Sequence, residues 1–348
     1  METKMVNLGS SLIVPSVQEL AKVQTDVIPP RYIRQESDSG VSVMEIPVVD
    51  MQKLLSQESE LDKLHYACRH WGFFQLVNHE VEHSLLEKIK KEVKDLFNLS
   101  MEEKKKFWQY PGEVEGFGQA FVVSEDQKLD WGDLFFMVTQ PIHARKPHLF
   151  PNFPLPLRDT LDTYSTEVKN LAMVILAHMA KALHMEADEM KEIFEDGHQS
   201  MRMNYYPPCP QPDKVIGLTP HSDATGLTIL LQVNEVEGLQ IKKDNKWLSV
   251  KPFPNAFIIN IGDILEIVTN GTYSSIEHRA TVNSEKERLS IATFYAPRYS
   301  VEIGPASSLI TKQTPQLFKR IGVEEYFQGL FARELHSKSY LETLRIVE

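Results

Sequence analysis

MRMNYYPPCPQPDKVIGLTPHSDATGLTILLQV, residues 201–233, decides the fold of this chain. Its short apolar runs are cut by proline, glycine and aspartate, the punctuation of brief strands rather than of helices. The rhythm continues through LQIKK, WLSVKP, AFIINI, ILEIVT, IEHRATV and RLSIATFYA, with turn signals at Asp244-Asn245, Asn270-Gly271 and Asn283-Ser284. Such spacing predicts an all-β sandwich or barrel from about Met201 to Ala296.

Upstream of this stretch the pattern is helical. Leu61, Leu64, Cys68 and Trp71 recur at three or four residues and run into the strand-like FFQLVNH, Phe73 to His79. Ser84 with Glu87 and Ser100 with Glu103 read as capping boxes, the second opening a basic turn, Lys104 to Lys106, expected to be a solvated face. Val168, Leu171, Ala172, Ile175, Met179 and Ala182 mark the longest helix, and a shorter one stops near Gly197. The prolines from Pro147 to Pro156 are interleaved with Phe150, Phe153 and Leu155, which predicts an ordered, packed loop rather than a partner-binding P-x-x-P string. The fold class is therefore α+β. Residues 1–200 form a mainly helical region with strands at 46–50 and 73–79, residues 201–300 the strand core, and residues 301–348 a helical cover. Residues 1–40, polar and carrying Pro29-Pro30, read as a loosely packed arm.

Composition narrows the function. The 348 residues carry 37 Lys plus Arg against 48 Asp plus Glu, a net charge of −11, which disfavours nucleic acid and anionic membrane surfaces as partners. Two cysteines, Cys68 and Cys209, form no C-x-x-C pair, so no disulfide framework or thiolate zinc site is available. The start, METKMVNLGSS, lacks the apolar block of a signal peptide, and no run is long enough to span a bilayer. A cytoplasmic protein acting on a small molecule, with no obligate protein partner, is the expectation.

His221-Ser222-Asp223 lies where a strand ends, and residues two apart on a strand face the same side. His184-Met185-Glu186 has the same spacing but lies near a helix end, where residues two apart diverge. A neighbouring strand offers His278, completing two histidines and one carboxylate, a facial set that leaves one side of an octahedral iron(II) open. In RLSIATF, alternation puts Arg288, Ser290, Ala292 and Phe294 on one face, where a buried guanidinium needs an anion, and a carboxylate fits its fork. Alternation also gathers Arg202, Asn204 and Tyr206. Singly, each of these is more often a satisfied core or ion-pair residue. Together they require four accidents in order on one barrel.

In these motifs the chain resembles the plant-type iron(II)- and 2-oxoglutarate-dependent dioxygenases. The resemblance runs through IPVVD, WGFFQLVNH, NYYPPCPQP, GLTPHSD, GLTILLQ, VEGLQI and NGTYSSIEHRATVNSEKERLSIATF. It is strongest to the senescence-related-gene-like subgroup that includes opium-poppy alkaloid O-demethylases. It implies a distorted double-stranded β-helix, or jelly roll, in which His221, Asp223 and His278 hold iron(II). It also implies that Arg288, Ser290, Asn204 and Tyr206 bind 2-oxoglutarate, and that Leu134, Phe136, Arg202 and Phe294 line the substrate pocket. The expected enzyme uses dioxygen, with ascorbate as reductant in vitro, and releases succinate and CO2. It hydroxylates, or demethylates, a small, largely aromatic metabolite, with hydroxylation the leading expectation. A silent jelly-roll sensor is the alternative, and a zinc hydrolase a third reading that leaves Arg288 without purpose. Two positions depart from the family pattern. Glu80 stands where glycine is usual, putting the turn after FFQLV in question, and Ser274 stands where arginine is common.

Overall fold

The computed structural model describes residues 11–23, 27–34, 42–111, 113–186 and 188–346. The chain enters through α1 (Val17–Lys22), β1 (Ser42–Val43), β2 (Val48–Asp50), α2 (Met51–Leu54), α3 (Glu58–His70), β3 (Phe73–Val77), α4 (His83–Phe97) and α5 (Met101–Lys104). It continues through β4 (Gly116–Gly118), β5 (Asp133–Gln140), α6 (Leu155–Ala182) and α7 (Glu189–Phe194). The strand core is β6 (His198–Tyr206), β7 (Leu218–His221), β8 (Leu227–Gln232), β9 (Leu239–Lys243), β10 (Lys246–Ser249), β11 (Phe257–Ile261), α8 (Asp263–Val268), β12 (His278–Ala280) and β13 (Arg288–Ala296). Helices α9 (Val323–Phe331) and α10 (Ser339–Glu342) follow.

Two sheets result. The larger has eight strands in the order β2-β3-β11-β8-β13-β6-β5-β4, the smaller five in the order β1-β10-β9-β12-β7. Pairing within the core is antiparallel; β2 on β3 and β1 on β10 are parallel. The outer face of the larger sheet carries Met201, Met203, Tyr205, Leu289, Ile291 and Tyr295 into the main hydrophobic cluster with Leu161, Val168, Ile175 and Met179 of α6. The inner face looks towards the smaller sheet across a cavity. The period of two along β6 and β13 thus sends alternate residues into the helical core and into the cavity.

Several expectations change. ILEIVT is not a strand but most of α8, every residue of which is buried; buried on all sides, the helix shows no amphipathic period, and its β-branched content mimics a strand. DLFFMVTQ forms β5, missed because burial of both faces removes the alternation. With β4 and β5, the N-terminal region supplies four strands to the larger sheet, and β6 crosses the expected boundary at residue 200. Ser84 does not cap α4, which starts at His83 without a side-chain cap; Ser100 and Glu103 do form a capping box. Lys104 is not solvated but buried, bonded to the Gln18 side chain.

That contact belongs to a second correction. Parts of the expected loose arm, residues 1–10, 24–26 and 35–41, lie outside the described residues, as does most of METKMVNLGSS. The rest is packed: Val14, Val17, Ile28 and Tyr32 bury against Val122, Leu129, Trp131, Cys209 and Val215. Asp133 anchors the start of α1, accepting bonds from Ser16 Oγ at 2.5 Å, Val17 N at 2.7 Å and Gln18 N at 3.1 Å. Leu149 and Phe153 are buried, so the proline segment is the packed loop that was expected. Glu80 takes the left-handed conformation, φ +63°, in place of the usual glycine, a strain of ~1 kcal/mol for a side chain with a Cβ. Ser274 is not among the cavity-lining residues; its carbonyl abuts Gly72, where φ is +61° and a Cβ would sit 2.2 Å from that oxygen. Among the described residues, no helix is long and apolar enough to cross a membrane.

Candidate active site

Between the sheets lies a cavity of about 170 Å³. His221 ends β7 and His278 begins β12, directly opposite one another in register, with ring centroids 4.3 Å apart. Asp223 follows β7 by two residues, and its Oδ1 lies 3.5 Å from His221 Nε2 and 3.6 Å from His278 Nε2. All three residues are buried, and their ligand atoms lie within 4.8 Å of one another. No other group of this kind occurs among the described residues. His184 is placed just beyond α6 with φ +54°, away from any such cluster.

Each donor is aimed by a partner behind it. His221 Nδ1 bonds the Thr219 carbonyl at 2.8 Å and His278 Nδ1 the Ile276 carbonyl at 3.1 Å. A carbonyl only accepts, so Nδ1 carries the proton and Nε2 keeps its lone pair for an ion. Asp223 Oδ2 accepts from Thr228 Oγ1 at 2.6 Å and Asn260 Nδ2 at 2.7 Å, which leaves Oδ1 towards the histidines. The loop after Asp223 crowds Gly262, where a Cβ would meet the Thr225 carbonyl at 2.0 Å and the Asp223 carbonyl at 3.0 Å, so only glycine fits. Burial, reinforced by the neighbouring His221, lowers His278 to about 4. Burial alone would raise the Asp223 carboxyl, but His278, His221 and the Thr228 bond outweigh it and hold it well below the usual range. Neutral imidazole and ionised carboxylate are the forms that bind a metal.

On the same cavity, β13 presents Arg288, Ser290, Ala292 and Phe294, as alternation predicts, and β6 presents Arg202, Asn204 and Tyr206. Arg288 is 3% exposed, yet no carboxylate of the described residues pairs with it and its Nε has no hydrogen-bond partner. Its guanidinium stands over the Tyr206 ring, 5.4 Å from the centroid, with Gln232 Oε1 at 3.5 Å. Arg202 Nε donates to Asn204 Oδ1 at 2.7 Å, and Asn204 Nδ2 donates to Ser290 Oγ at 3.3 Å, so the polar side chains of both strands are linked. Leu134 and Phe136 of β5 line the wall beside β6, opposite Asn204 and Arg202 in register.

Sequence reasoning missed Thr228 and Asn260, although Asn260 inside the apolar run AFIINI was a readable signal, since a buried amide must have a partner. It also missed Glu115 and His198 on the cavity wall, and Phe121, Tyr299, Phe327, Leu330, Phe331 and Leu335, which close it from three loops and α9. The C-terminal segment is fastened to the histidine strand: Ser337 N bonds the Pro220 carbonyl at 2.9 Å, and Ser222 N bonds the Ser337 carbonyl at 3.3 Å. Glu266, on α8, holds Lys338 at 2.7 Å and Arg345 at 2.6 Å.

Comparison with known proteins gives this geometry a family. Residues 197–297 match the 2OG-Fe(II) oxygenase superfamily, and residues 46–154 match the N-terminal region of non-haem dioxygenases in morphine synthesis. Protein SRG1 of Arabidopsis thaliana is 60% identical over 99% of this chain and 100% of its own length. The chain belongs to the 2OG-Fe(II) oxygenase superfamily. Other relatives in this superfamily include a flavonoid 7-O-demethylase of Ocimum basilicum, 56% identical over 97% of this chain and 93% of its own. Thebaine 6-O-demethylase of Papaver somniferum is 54% identical over 99% and 100%. The crystal structure of JOX2 in complex with 2OG, Fe and JA has a TM-score of 0.89 at 35% identity, covering 96% of this chain and 98% of that one. This oxygenase therefore has the double-stranded β-helix core of its superfamily, takes iron(II) and 2-oxoglutarate, and acts as an oxidoreductase on a small molecule.

Proposed function

We propose that His221 Nε2, His278 Nε2 and Asp223 Oδ1 hold the iron(II), and that Arg288 with Ser290 takes the far carboxylate of 2-oxoglutarate, Asn204 and Tyr206 completing that pocket. The observation that carries this reading is the pairing, in one cavity, of three converging donors with a buried guanidinium lacking a carboxylate partner among the described residues. The donor set suits the group: two neutral imidazoles and a carboxylate fit iron(II), and the fork of Arg288 fits a carboxylate. A zinc hydrolase would leave Arg288 unexplained, and a silent binding protein would have no need for imidazoles tied so firmly through Nδ1.

When bound, iron and 2-oxoglutarate would turn dioxygen into an oxidant that breaks one substrate C–H bond, one oxygen atom going to succinate, formed with CO2, and the other to the substrate. The residues of the chain do the positioning. Thr219 and Ile276 fix the imidazoles, Thr228 and Asn260 fix Asp223, and Arg202 and Asn204 hold the Ser290 hydroxyl in place. Leu134, Phe136 and Phe294 offer apolar faces that exclude water and orient a flat substrate.

The substrate we propose is a methoxylated aromatic, and the reaction oxidative O-demethylation. Two relatives above 50% identity over nearly the whole chain are O-demethylases by name, which reverses the initial preference for hydroxylation. Hydroxylating an O-methyl carbon gives a hemiacetal that collapses to formaldehyde and a free hydroxyl. Incubating the purified protein with iron(II), ascorbate, 2-oxoglutarate and a panel of methoxylated alkaloids, flavonoids and phenylpropanoids tests this. Formaldehyde in one-to-one ratio with succinate is expected; a product that retains both methyl and added oxygen would establish hydroxylation instead.

A further inference from the structure

We propose that the end of the cavity remote from Arg288 is a receptor for an organic ammonium group, with the Glu115 carboxylate as counter-charge and Tyr299, Phe327 and Phe331 as aromatic rings beside it. The inference rests on the cavity being the substrate chamber. Along β6 and β13 the register pairs Arg288 with Tyr206 at one end and Ala296 with His198 at the other, eight residues and ~26 Å apart. Glu115 belongs to the His198 end, since its Oε2 accepts from Val138 N at 2.8 Å, and Val138 pairs with Ser200.

Apart from Asp223, Glu115 is the only carboxylate lining the cavity among the described residues. It is 7% exposed and forms no ion pair with any described cation. Lys146 is the nearest candidate, but it is paired with Glu113 at 2.9 Å. From the other elements, His198 and Tyr299 face this end, their rings 4.0 Å apart. Burial lowers His198 to about 4 and raises the Tyr299 hydroxyl above its usual range, so both are neutral and neither balances a carboxylate. Burial also raises Glu115 to about 7, where a bound cation would draw its proton off.

Tyr299 lies close enough to Glu115 to feel its charge, and further rings lead away from Tyr299. Phe121 stacks on Phe331 at 5.0 Å and 7°, Phe331 lies 6.5 Å from Phe327, and Phe327 meets Tyr299 edge-on at 5.9 Å. All four rings line the cavity, and no Lys or Arg of the described residues stands over any of them. A buried carboxylate beside aromatic rings that carry no cation is the chemistry that recognises alkylated ammonium, through ring quadrupoles and one counter-charge. A neutral phenol would use neither the charge nor the number of rings.

The test compares two shape-matched probes, 4-methoxyphenethyl-trimethylammonium and its uncharged tert-butyl isostere. Binding is followed by calorimetry to the full chain loaded with iron(II) and 2-oxoglutarate without oxygen. The wild type should prefer the ammonium by about tenfold or more. In Glu115→Gln, which keeps an acceptor for Val138 N–H, the ratio of the two dissociation constants should fall to near one. Phe331→Leu, which keeps apolar bulk but loses a π face, should lower the ratio several-fold. No preference in the wild type, a preference that survives Glu115→Gln, or no detectable binding of either probe would overturn the proposal. Succinate formation from 2-oxoglutarate by the wild-type preparation reads the iron and cosubstrate assignment separately, so the two readings fail independently.

Discussion

Replacing Arg288 by methionine should change stability and cosubstrate affinity in opposite directions. The aliphatic stem of Arg288 packs against Gly238, where a Cβ would lie 2.8 Å from the arginine Cδ, and methionine preserves that part of the contact. What it removes is a buried guanidinium whose Nε is unpartnered. An unpaired buried cation costs several kcal/mol when fully dry, and partial wetting by cavity water reduces that, so the ligand-free variant should gain ~1–2 kcal/mol, or about 1–3 °C in Tm. Affinity for 2-oxoglutarate should fall by ~2–5 kcal/mol, a factor of roughly 30 to several thousand, because the ligand carboxylate loses its buried partner. At a cosubstrate concentration one hundred times the wild-type Kd, the wild type gains ~2.7 kcal/mol of stability and the variant at most ~0.9 kcal/mol. In thermal melts of the manganese-loaded protein the variant should therefore lead the wild type without 2-oxoglutarate and lose that lead with it. A variant that melts lower without ligand and shifts as far with it as the wild type would refute both the strain and the pocket.

Alanine at His221, Asp223 or His278 should abolish turnover and metal binding while leaving the far-ultraviolet circular dichroism unchanged, because the core packs without the ion; retained activity in iron-limited buffer would break the assignment. Asn260→Leu should weaken metal binding by about 10- to 100-fold, as Asp223 loses one of the two bonds on its Oδ2, and an unchanged Kd by anaerobic titration would show that those bonds do not aim the carboxylate. Glu266→Gln removes the buried counter-charge of Lys338 and Arg345, a loss of ~1–3 kcal/mol allowing for the partial exposure of both cations, and should quicken proteolysis after Arg333. Because the folded pKa of Glu115 is raised to about 7, the folded state holds more protons than the unfolded one between about pH 4 and 7, so this group lowers stability as pH rises through that window. Glu115→Gln should flatten that limb of a chemical-denaturation series, and an unaltered slope would place the proton elsewhere.

The chemistry of the site was legible because strands impose a period of two. Arg288, Ser290 and Phe294 could be put on one face, and His221 and Asp223 on one side of a strand end, from spacing alone. His278 was read as coming from a neighbouring strand, and the pairing of β12 with β7 is what brings it opposite His221. Elements buried on all sides were opaque: β5 and α8 lack any solvent-facing stripe to betray their period. Lys104 and the N-terminal arm were misread for the opposite reason, since polar residues suggest solvent until a distant partner, here Gln18 and Asp133, is known. Glu115 was invisible in the sequence, because one acid between Val114 and Gly116 reads as surface, and only the fold shows what surrounds it.

Alternate residues of β6 and β13 descend the cavity like rungs, each step ~7 Å. On the proposed assignment the lower rungs, Tyr206, Asn204, Arg288 and Ser290, would touch what is common to every turnover, and the upper ones, Ser200, His198, Phe294 and Ala296, only the molecule being processed. Neighbouring rungs share no side-chain hydrogen bond across Ala292, so mutation at the top can be sampled without disturbing the bottom. Retargeting this scaffold is then a search over a few positions on two strands and the loops above them, and lineages of such enzymes can drift between substrates while their redox step stays fixed.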